Sequence, residues 1–511
     1  MDFLKEILLY SEAKPLLFTR LYFWGFFAAL LTIYSFIYKK SPVRNAYLFF
    51  MSLFFYYKSG GYFFTLLIFS TIADFTLGQL IYNSKTDLKK KLFVAISVII
   101  NLSLLGYFKY TYFFTDIINK TFNTHFEAFN YLASWTNDLT GSSFDISRII
   151  LPVGISFYTF QTISYTVDVY RRKVKPVKNI IDFGFYVSFF PQLVAGPIVR
   201  AAEFVPQLYQ KYKLSAQEFG HAVFLILNGL IKKILISDYI SINYVDRVFD
   251  APTSFTGFEN LMAVYGYAIQ IYCDFSGYTD IAIGVALLLG FKLPINFNSP
   301  YKATNITDFW RRWHISLSSW LRDYLYIPLG GNKKGKPRMC INIMITMLLG
   351  GLWHGANIRF VIWGGLHGIG LVVHKLWVKL NLSLSRYYKT KSSRNILFRF
   401  ISIFTTFHLV SFAWIFFRAQ DMSKALSVIN QITENFQLKL IPIMVSSYHK
   451  VFILILFGFI IHWLPSRVKE NYRGWFIKSH IVVKVILAVL VVIILYQAKS
   501  AEIQPFIYFQ F

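Results

Sequence analysis

The sequence predicts an all-α integral membrane protein, and its composition and its pattern of apolar runs both point to this class. Of the 511 residues, 55% are hydrophobic and 19% are aromatic, which exceeds the usual apolar content of soluble domains. Runs with few charges recur at 16–38, 92–108, 398–417, 451–464 and 481–496. Each is long enough, or nearly so, to cross a membrane as a helix, so we expect roughly 10–13 transmembrane or re-entrant helices.

The basic residues agree with this class. The net charge is +27, and basic residues cluster in short loops at 39–44, 85–91 and 171–175. Positive charge in short cytoplasmic loops and attraction to anionic lipid headgroups explain this distribution. A nucleic-acid-binding protein would instead concentrate the charge on one soluble face. We therefore expect membrane lipids, and no nucleic acid, among the partners.

The N-terminal elements alternate in a regular way. The first predicted helix ends at Lys39, and Gly60 with Gly61 breaks the next apolar stretch into a hairpin. The segment 115–147 is polar and acidic and is expected on the external side. A further predicted helix covers 151–169 and ends in basic residues.

The alternation is interrupted after residue 188. Pro191 and Pro197 break an apolar run that must therefore be re-entrant or buried, because lipid cannot satisfy a broken helix backbone. The segment 301–337 is too polar to cross and predicts amphipathic helices at the membrane interface.

Two carboxylates interrupt another apolar stretch, Asp274 and Asp280. Ionisable groups at membrane depth face protein or a water-filled cavity. They either form structural ion pairs with Lys232 or Lys233, or contact a substrate. Both interpretations remain open from the residues alone.

His354 is the leading candidate for a catalytic residue. It directly follows Trp353 and is flanked by glycines, which would let a substrate approach its ring. A neutral histidine can accept a proton from a hydroxyl at working pH. The alternative is a packing histidine that is hydrogen-bonded to a neighbouring helix.

His314 also directly follows a tryptophan. Arg311 and Arg312 precede it and Arg322 follows. These arginines could bind the phosphates of an anionic thioester donor. Alternatively, this segment is an interfacial helix whose tryptophans lie at headgroup depth while its arginines meet lipid phosphates.

The other histidines and the cysteines predict no metal site. His367 and His374 are seven residues apart on one helical face, which favours packing. A metal site formed by them with His354 lacks supporting carboxylate or cysteine spacing. Cys273 and Cys340 lie far apart in sequence and predict no disulfide framework.

Four segments carry a specific pattern: FPQLVAGPIVR at 190–200, YCDFSGYTDIA at 272–282, DFWRRWHISLS at 308–318 and GLWHG at 351–355. In these segments the chain resembles the membrane-bound O-acyltransferase family, and within it the bacterial alginate O-acetyltransferase branch. The resemblance implies one membrane domain over 1–511, with a family core at about 150–380 and C-terminal helices with an aromatic tail at about 395–511. It also implies a ring of helices around a central funnel.

The resemblance further implies an O-acetyltransferase. The acetyl group would come from a cytoplasmic thioester, acetyl-coenzyme A, without a bound cofactor. His354 is implied as the essential catalytic histidine and His314 as the second family histidine. We expect Asp274, Asp280 and Trp353 to line the cavity around them.

The implied partners are a periplasmic or extracellular acetyl-transfer protein and an exported polysaccharide. The implied location is the bacterial inner (cytoplasmic) membrane. One alternative is transfer of D-alanine or another acyl group from a carrier protein to a cell-wall polymer. A different class, a secondary transporter, would also have broken helices and buried carboxylates.

The last six residues, 506–511, read F-x-Y-x-x-F. They resemble the aromatic tail of some family members or of their small partner proteins. The hypothesis is that Tyr508 accepts the acetyl group and passes it on. The alternative is an aromatic anchor at the membrane interface.

Overall fold

The computed structural model describes residues 8–11, 14–388, 396–498 and 506–507, and this part of the chain contains helices but no strand. Contacts divide the chain into two compact units. The first comprises Met1–Val194, Ile198–Tyr212 and Gly355–Asn357, and the second comprises Ala195–Pro197, Lys213–His354 and Ile358–Phe511. The expectation of a single domain over 1–511 stays a prediction.

Ten helices lie in the described part of the first unit. They are α1 Leu21–Ile37, α2 Ser41–Gly60, α3 Phe64–Asn83, α4 Asp87–Leu105, α5 Thr111–Phe122, α6 Tyr131–Thr140, α7 Ile155–Tyr170, α8 Ile180–Ser188, α9 Phe190–Leu193 and α10 Ala201–Leu208. The predicted hairpin break is present, since α2 ends at Gly60 and Gly61 has a φ of 67°. A residue with a Cβ rarely adopts this left-handed backbone, and glycine adopts it freely.

Thirteen helices lie in the described part of the second unit. They are α11 Ala216–Leu230, α12 Asp246–Asp250, α13 Gly257–Leu288, α14 Ile306–Arg312, α15 Ile315–Leu321, α16 Gly335–His354, α17 Ile358–Tyr388, α18 Ile396–Arg418, α19 Met422–Glu434, α20 Ile441–Ser447, α21 His449–Trp463, α22 Ser466–Lys478 and α23 Ile481–Ala498. Segments of π-helix extend α11 at Ile231–Asp238, over eight residues, and α15 at Arg322–Tyr326, over five residues.

The predicted class, an all-α polytopic membrane protein, is confirmed. Within the described ranges, six helical segments are long and apolar enough to cross a membrane, or up to eight if two bent pairs each form one span. The sequence count of roughly 10–13 is higher because it included short, broken and re-entrant helices. The break between α8 and α9 lies at Phe189, within the segment that the two prolines predicted to be irregular.

Helix α13 explains how carboxylates occur in an apolar run. It has 32 residues, and 78% of its most apolar stretch is buried inside the protein. It begins with a capping box in which Thr256 and Glu259 satisfy each other's backbone N–H groups. A helix surrounded by protein can place ionisable groups against partners on other helices instead of lipid.

The polar segment between α13 and α16 folds into the short helices α14 and α15. Asn305 caps α14, because its side chain accepts a hydrogen bond from the backbone N–H of Asp308. This agrees with the expectation of short helices here, whereas their position at a membrane interface stays a prediction.

Candidate functional site

The second unit brings three of the predicted site residues together. The rings of His314 and His354 both contact Trp353, with centroid distances of 6.2 Å and 4.9 Å. The two histidines are 0% and 3% exposed. Two imidazoles thus lie on one indole in a buried, aromatic environment, although they are 40 positions apart in the sequence.

His354 is the last residue of α16, where this helix packs closely on α17. Its ring also contacts Trp363 and Phe417, at 4.9 Å and 5.2 Å. A Cβ at Gly351 would lie 2.1 Å from the carbonyl oxygen of Phe360. Gly351 therefore permits the close approach of α16 to α17, a different role from the substrate approach that the sequence suggested.

His314 begins α15 in an unusual backbone conformation. Its φ is 41° and its ψ is 58°, in the left-handed region. Asn296 holds this turn, since its backbone oxygen and its side-chain oxygen accept the N–H groups of Ile315 and Ser316, at 3.0 Å and 3.1 Å. Left-handed non-glycine residues are uncommon, and such strain is concentrated at functional sites.

The environment of His314 favours its neutral form. Its ring meets that of Phe275 edge-on at 4.6 Å. Burial lowers the pKa of His314 to about 3, because desolvation disfavours the charged imidazolium. The side chain is therefore uncharged at ordinary pH and can exchange protons or hydrogen bonds only as a neutral imidazole.

A third buried histidine was not singled out as part of this site by the sequence. His367 is 1% exposed, and its ring contacts Trp363 at 4.8 Å and Trp310 at 5.2 Å. Through Trp363 it shares a neighbour with His354. The repeated tryptophan, glycine and histidine residues on α16 and α17 are the sequence signal that could have indicated this. These aromatic contacts agree with a packing role.

His374, seven residues after His367 on α17, is half-buried. Its Nδ1 lies 2.8 Å from Thr307 Oγ1. In the described part of the chain no group of three or more histidine, cysteine, aspartate or glutamate side chains could hold a metal ion. Cys273 and Cys340 are both free thiols. The expectation of no bound metal stays a prediction.

The two carboxylates of α13 form ion pairs with neighbouring lysines. Asp274 lies 2.5 Å from Lys233 Nζ, and Asp280 lies 2.7 Å from Lys232 Nζ. Asp280 also accepts a hydrogen bond from Asn228 Nδ2 at 2.8 Å. This geometry matches the ion-pair interpretation, and contact with a substrate cavity stays a prediction for both.

The three arginines near His314 differ in how far their charge is neutralised. Arg312 pairs with Asp308 at 2.9 Å, and Arg322 pairs with Asp323 at 2.6 Å. Arg311 is exposed and forms no ion pair with any described residue. Binding of an anionic donor stays a prediction, and Arg311 has the most available charge for it.

The C-terminal tail reaches the same part of α13. Phe506 contacts the rings of Phe275 and Tyr278, at 5.4 Å and 4.8 Å. The backbone N–H of Ile507 donates a hydrogen bond to Asp274 Oδ2 at 3.0 Å. Tyr508, the predicted acyl relay, lies outside the described residues.

Comparisons with known proteins bear on this site. Residues 81–417 match the model of the MBOAT, or membrane-bound O-acyltransferase, family, and this range includes both His314 and His354. The chain is 36% identical over 419 residues to a peptidoglycan O-acetyltransferase of Helicobacter pylori, covering 77% of this chain and 74% of that protein.

Two further relatives differ in the acyl group that they are named for. A probable alginate O-acetylase, AlgI, of Pseudomonas syringae pv. tomato is 40% identical over 330 residues, which cover 65% of this chain and 58% of that protein. A teichoic acid D-alanyltransferase of Bacillus subtilis is 30% identical over 281 residues, 53% of this chain and 69% of that protein. The chain therefore spans less than two thirds of the alginate relative's length.

Proposed function

Since the chain belongs to the membrane-bound O-acyltransferase family, we propose that it takes acetyl groups from acetyl-coenzyme A. Family membership makes the chain a multi-pass membrane acyltransferase. In the proposed reaction, the acetyl groups pass across the membrane for O-acetylation of an exported polysaccharide. The observation on which this rests most is the pair of buried histidines on Trp353, inside the region that matches the family. Family membership removes the secondary transporter as an alternative.

His354 is the proposed general base. Its imidazole takes the proton of an acceptor hydroxyl while the hydroxyl oxygen attacks the thioester carbonyl carbon. The carbon–sulfur bond breaks, and the coenzyme A thiolate leaves and takes up the proton that His354 accepted. The neutral, buried surroundings suit this role, because an imidazolium could not accept a proton. His314 acts beside it as a neutral hydrogen-bonding group, since burial holds its pKa far below working pH.

Acetyl is favoured over D-alanyl transfer by the relatives. The relatives named for O-acetylation are 36% and 40% identical to this chain, and the D-alanyltransferase is 30% identical. Arg311, exposed and without an ion pair among the described residues, is the proposed contact for donor phosphate. This charge would suit coenzyme A or an acidic carrier protein, so donor choice needs a direct test.

The proposed acetyl route passes through Tyr508. The tyrosine hydroxyl would be acetylated first, and the acetyl group would then be transferred to a periplasmic or extracellular acetyl-transfer protein and onto the polysaccharide. The observation that supports this route is the position of its neighbour Ile507, which is hydrogen-bonded to α13 beside Phe275, the ring that contacts His314. The proposed location is the bacterial inner membrane.

A two-donor experiment tests the acyl group. Purified protein in detergent receives either acetyl-coenzyme A or a D-alanyl-loaded carrier protein, and release of the free thiol is measured. We expect release from acetyl-coenzyme A only. Release from the D-alanyl carrier alone would replace this proposal with the D-alanyl alternative.

A cellular experiment tests the acceptor. Cells that lack the chain are complemented with the wild type or with Tyr508→Phe, which removes only the hydroxyl. Alkali-labile acetate is then measured separately in extracellular polysaccharide and in peptidoglycan. We expect the wild type to restore acetate in one of these polymers and Tyr508→Phe to restore none. Full restoration by Tyr508→Phe would contradict the relay.

A further inference from the structure

A directional contact joins the C-terminal tail to α13. The Ile507 N–H donates to Asp274 Oδ2 at 3.0 Å, and the two residues are 233 positions apart in the chain. Phe506 and Ile507 are 2% and 4% exposed, so both side chains are buried. A backbone amide hydrogen-bonded to a carboxylate in a buried place is a strong, geometrically specific contact.

Aromatic packing surrounds this hydrogen bond. The Phe506 ring lies against Phe275 and Tyr278, which follow Asp274 by one and four residues on α13. Phe275 also contacts the His314 ring, with the ring centroids 4.6 Å apart. One aromatic side chain therefore touches both the bound tail and a histidine of the candidate site.

The charge around Asp274 favours an added hydrogen-bond donor. Lys233 Nζ lies 2.5 Å from Asp274 and 2.7 Å from Asp238, so two carboxylates share this cation. Buried charge requires hydrogen-bond donors, and the tail amide supplies one.

We propose that Asp274 is the docking residue of the C-terminal tail. Lys233 fixes the carboxylate, the carboxylate binds the Ile507 N–H, and Phe275 with Tyr278 receives the Phe506 ring. Asp274 is thus a positioning residue, which acts on the reaction through the tail and not on the reacting atoms. Its functional consequence rests on the proposed function, because Tyr508, the proposed acetyl acceptor, directly follows Ile507 in the sequence.

Hydrogen exchange in the full-length protein tests the docking. The variants are Asp274→Asn, which weakens the acceptor, and Ile507→Pro, which removes the donor and leaves the Asp274–Lys233 ion pair untouched. Ile507→Val retains the N–H, and Asp280→Asn changes the other ion-paired carboxylate of α13. Exchange of the C-terminal peptide is followed by mass spectrometry in detergent, beside peptides of α13.

We expect exchange in the C-terminal peptide to be about ten- to hundredfold faster in Asp274→Asn and Ile507→Pro, the range for losing a hydrogen bond to a charged group. Ile507→Val and Asp280→Asn should retain wild-type exchange in this peptide. A merely structural role for Asp274 would instead accelerate exchange throughout α13 in Asp274→Asn and leave Ile507→Pro unaffected. Wild-type exchange of the tail in both test variants would overturn the proposal.

The same samples separate this proposal from the acetyl relay. After incubation with labelled acetyl-coenzyme A, we expect Ile507→Pro to label Tyr508 at least tenfold more slowly than Ile507→Val, with an unchanged KM for the donor. Equal labelling rates despite faster tail exchange would overturn the positioning role. A protected but never labelled wild-type tail would refute the relay and leave the docking intact.

Discussion

Two buried aspartates, one in each compact unit, obtain their hydrogen bonds in different ways. Asp74 in α3 accepts from Ser97 Oγ at 2.5 Å and from Asn101 Nδ2 at 2.8 Å. Thr162 and Thr166 of α7 complete this Asp74 network through Asn101 and Ser97. Neutral groups of two neighbouring helices, α4 and α7, satisfy Asp74, and the network includes no cation among the described residues.

Asp274 in α13 is satisfied by Lys233 and by the backbone of the distant C-terminal tail. One of its partners therefore belongs to a segment 233 positions away in the chain. A network whose partners are all on packed helices serves packing. A carboxylate that binds a distant segment next to Phe275, whose ring contacts His314, can serve function. We therefore expect substitutions in the Asp74 network to change stability, and those around His354 to change rate.

The largest effect is expected for His354→Gln, which should lower the rate of acetyl transfer. If this variant lost stability instead of rate, the difference between the two regions would not hold. Loss of a general base lowers the rate by about 10²–10⁴-fold. The measurement is release of coenzyme A thiol per folded protein. His367→Gln is the matched control, since His367 is also buried and also contacts Trp363, and it should retain most of the rate. Equal losses in both variants would contradict the assignment.

A smaller but severe effect is expected for Gly351→Ala. Its Cβ would lie 2.1 Å from the Phe360 carbonyl oxygen, so α16 must move away from α17 and take His354 with it. We expect destabilisation at the upper end of the about 1–3 kcal/mol typical of overpacking, together with slower transfer. Thermal unfolding in detergent and thiol release measure the two effects.

Gly365→Ala is the control for this substitution. A Cβ at Gly365 would meet Leu348 Cδ2 at 3.6 Å, an ordinary contact. Replacement of glycine by alanine within a helix should then leave stability unchanged or raise it. Equal behaviour of the two variants would show that the α16–α17 contact does not position His354.

Asp74→Ala tests the buried hydrogen-bond network of the first unit. It leaves the Ser97 hydroxyl and the Asn101 amide without their buried acceptor, which costs about 1–3 kcal/mol of unfolding free energy. The rate per folded protein should not change. Asp116→Ala, at an exposed ion pair with Lys120, should cost less than about 1 kcal/mol. A rate loss in Asp74→Ala at wild-type stability would remove the distinction between the two regions.

The smallest effect at neutral pH is expected for His314, which lies outside the spanning segments and affects stability only as pH falls. Burial lowers its pKa to about 3, whereas an unfolded histidine titrates near 6.5. Between these values the unfolded chain binds a proton that the folded protein does not, so stability falls as pH falls from about 6.5. One such group contributes a slope of at most about 1.4 kcal/mol per pH unit.

His314→Gln should therefore remove the uptake of one proton on unfolding. Stability should then fall less between neutral and acidic pH than it does in the wild type. The measurement is the melting temperature in detergent over a pH series. His125→Gln, at an exposed position, should leave the slope unchanged. An unchanged slope in His314→Gln would mean that His314 is not buried as a neutral side chain.

The sequence predicted much of this organisation. The all-α membrane class followed from composition and apolar runs, and the four motifs indicated the family before any comparison. The motifs also selected His314 and His354, which the structure places on one tryptophan. These features are local in the chain, and local patterns are what a single sequence records best.

Other features could be recognised only from the structure, or from side chains close to each other in the sequence. No sequence pattern joins Ile507 to Asp274, because their contact crosses 233 positions. The left-handed backbone of His314 depends on Asn296, which no motif marks. The pairing of Arg312 with Asp308 could have been expected, since residues four apart on a helix are neighbours.

In the proposed reaction, His354 is the general base for acetyl transfer onto Tyr508. Label transfer from acetyl-coenzyme A to purified protein tests this step, with peptide mapping of the wild type, His354→Gln and Tyr508→Phe. We predict a labelled C-terminal peptide in the wild type and none in either variant. Labelling of His354→Gln at the wild-type rate, or of Tyr508→Phe in the same peptide, would rule out this reaction.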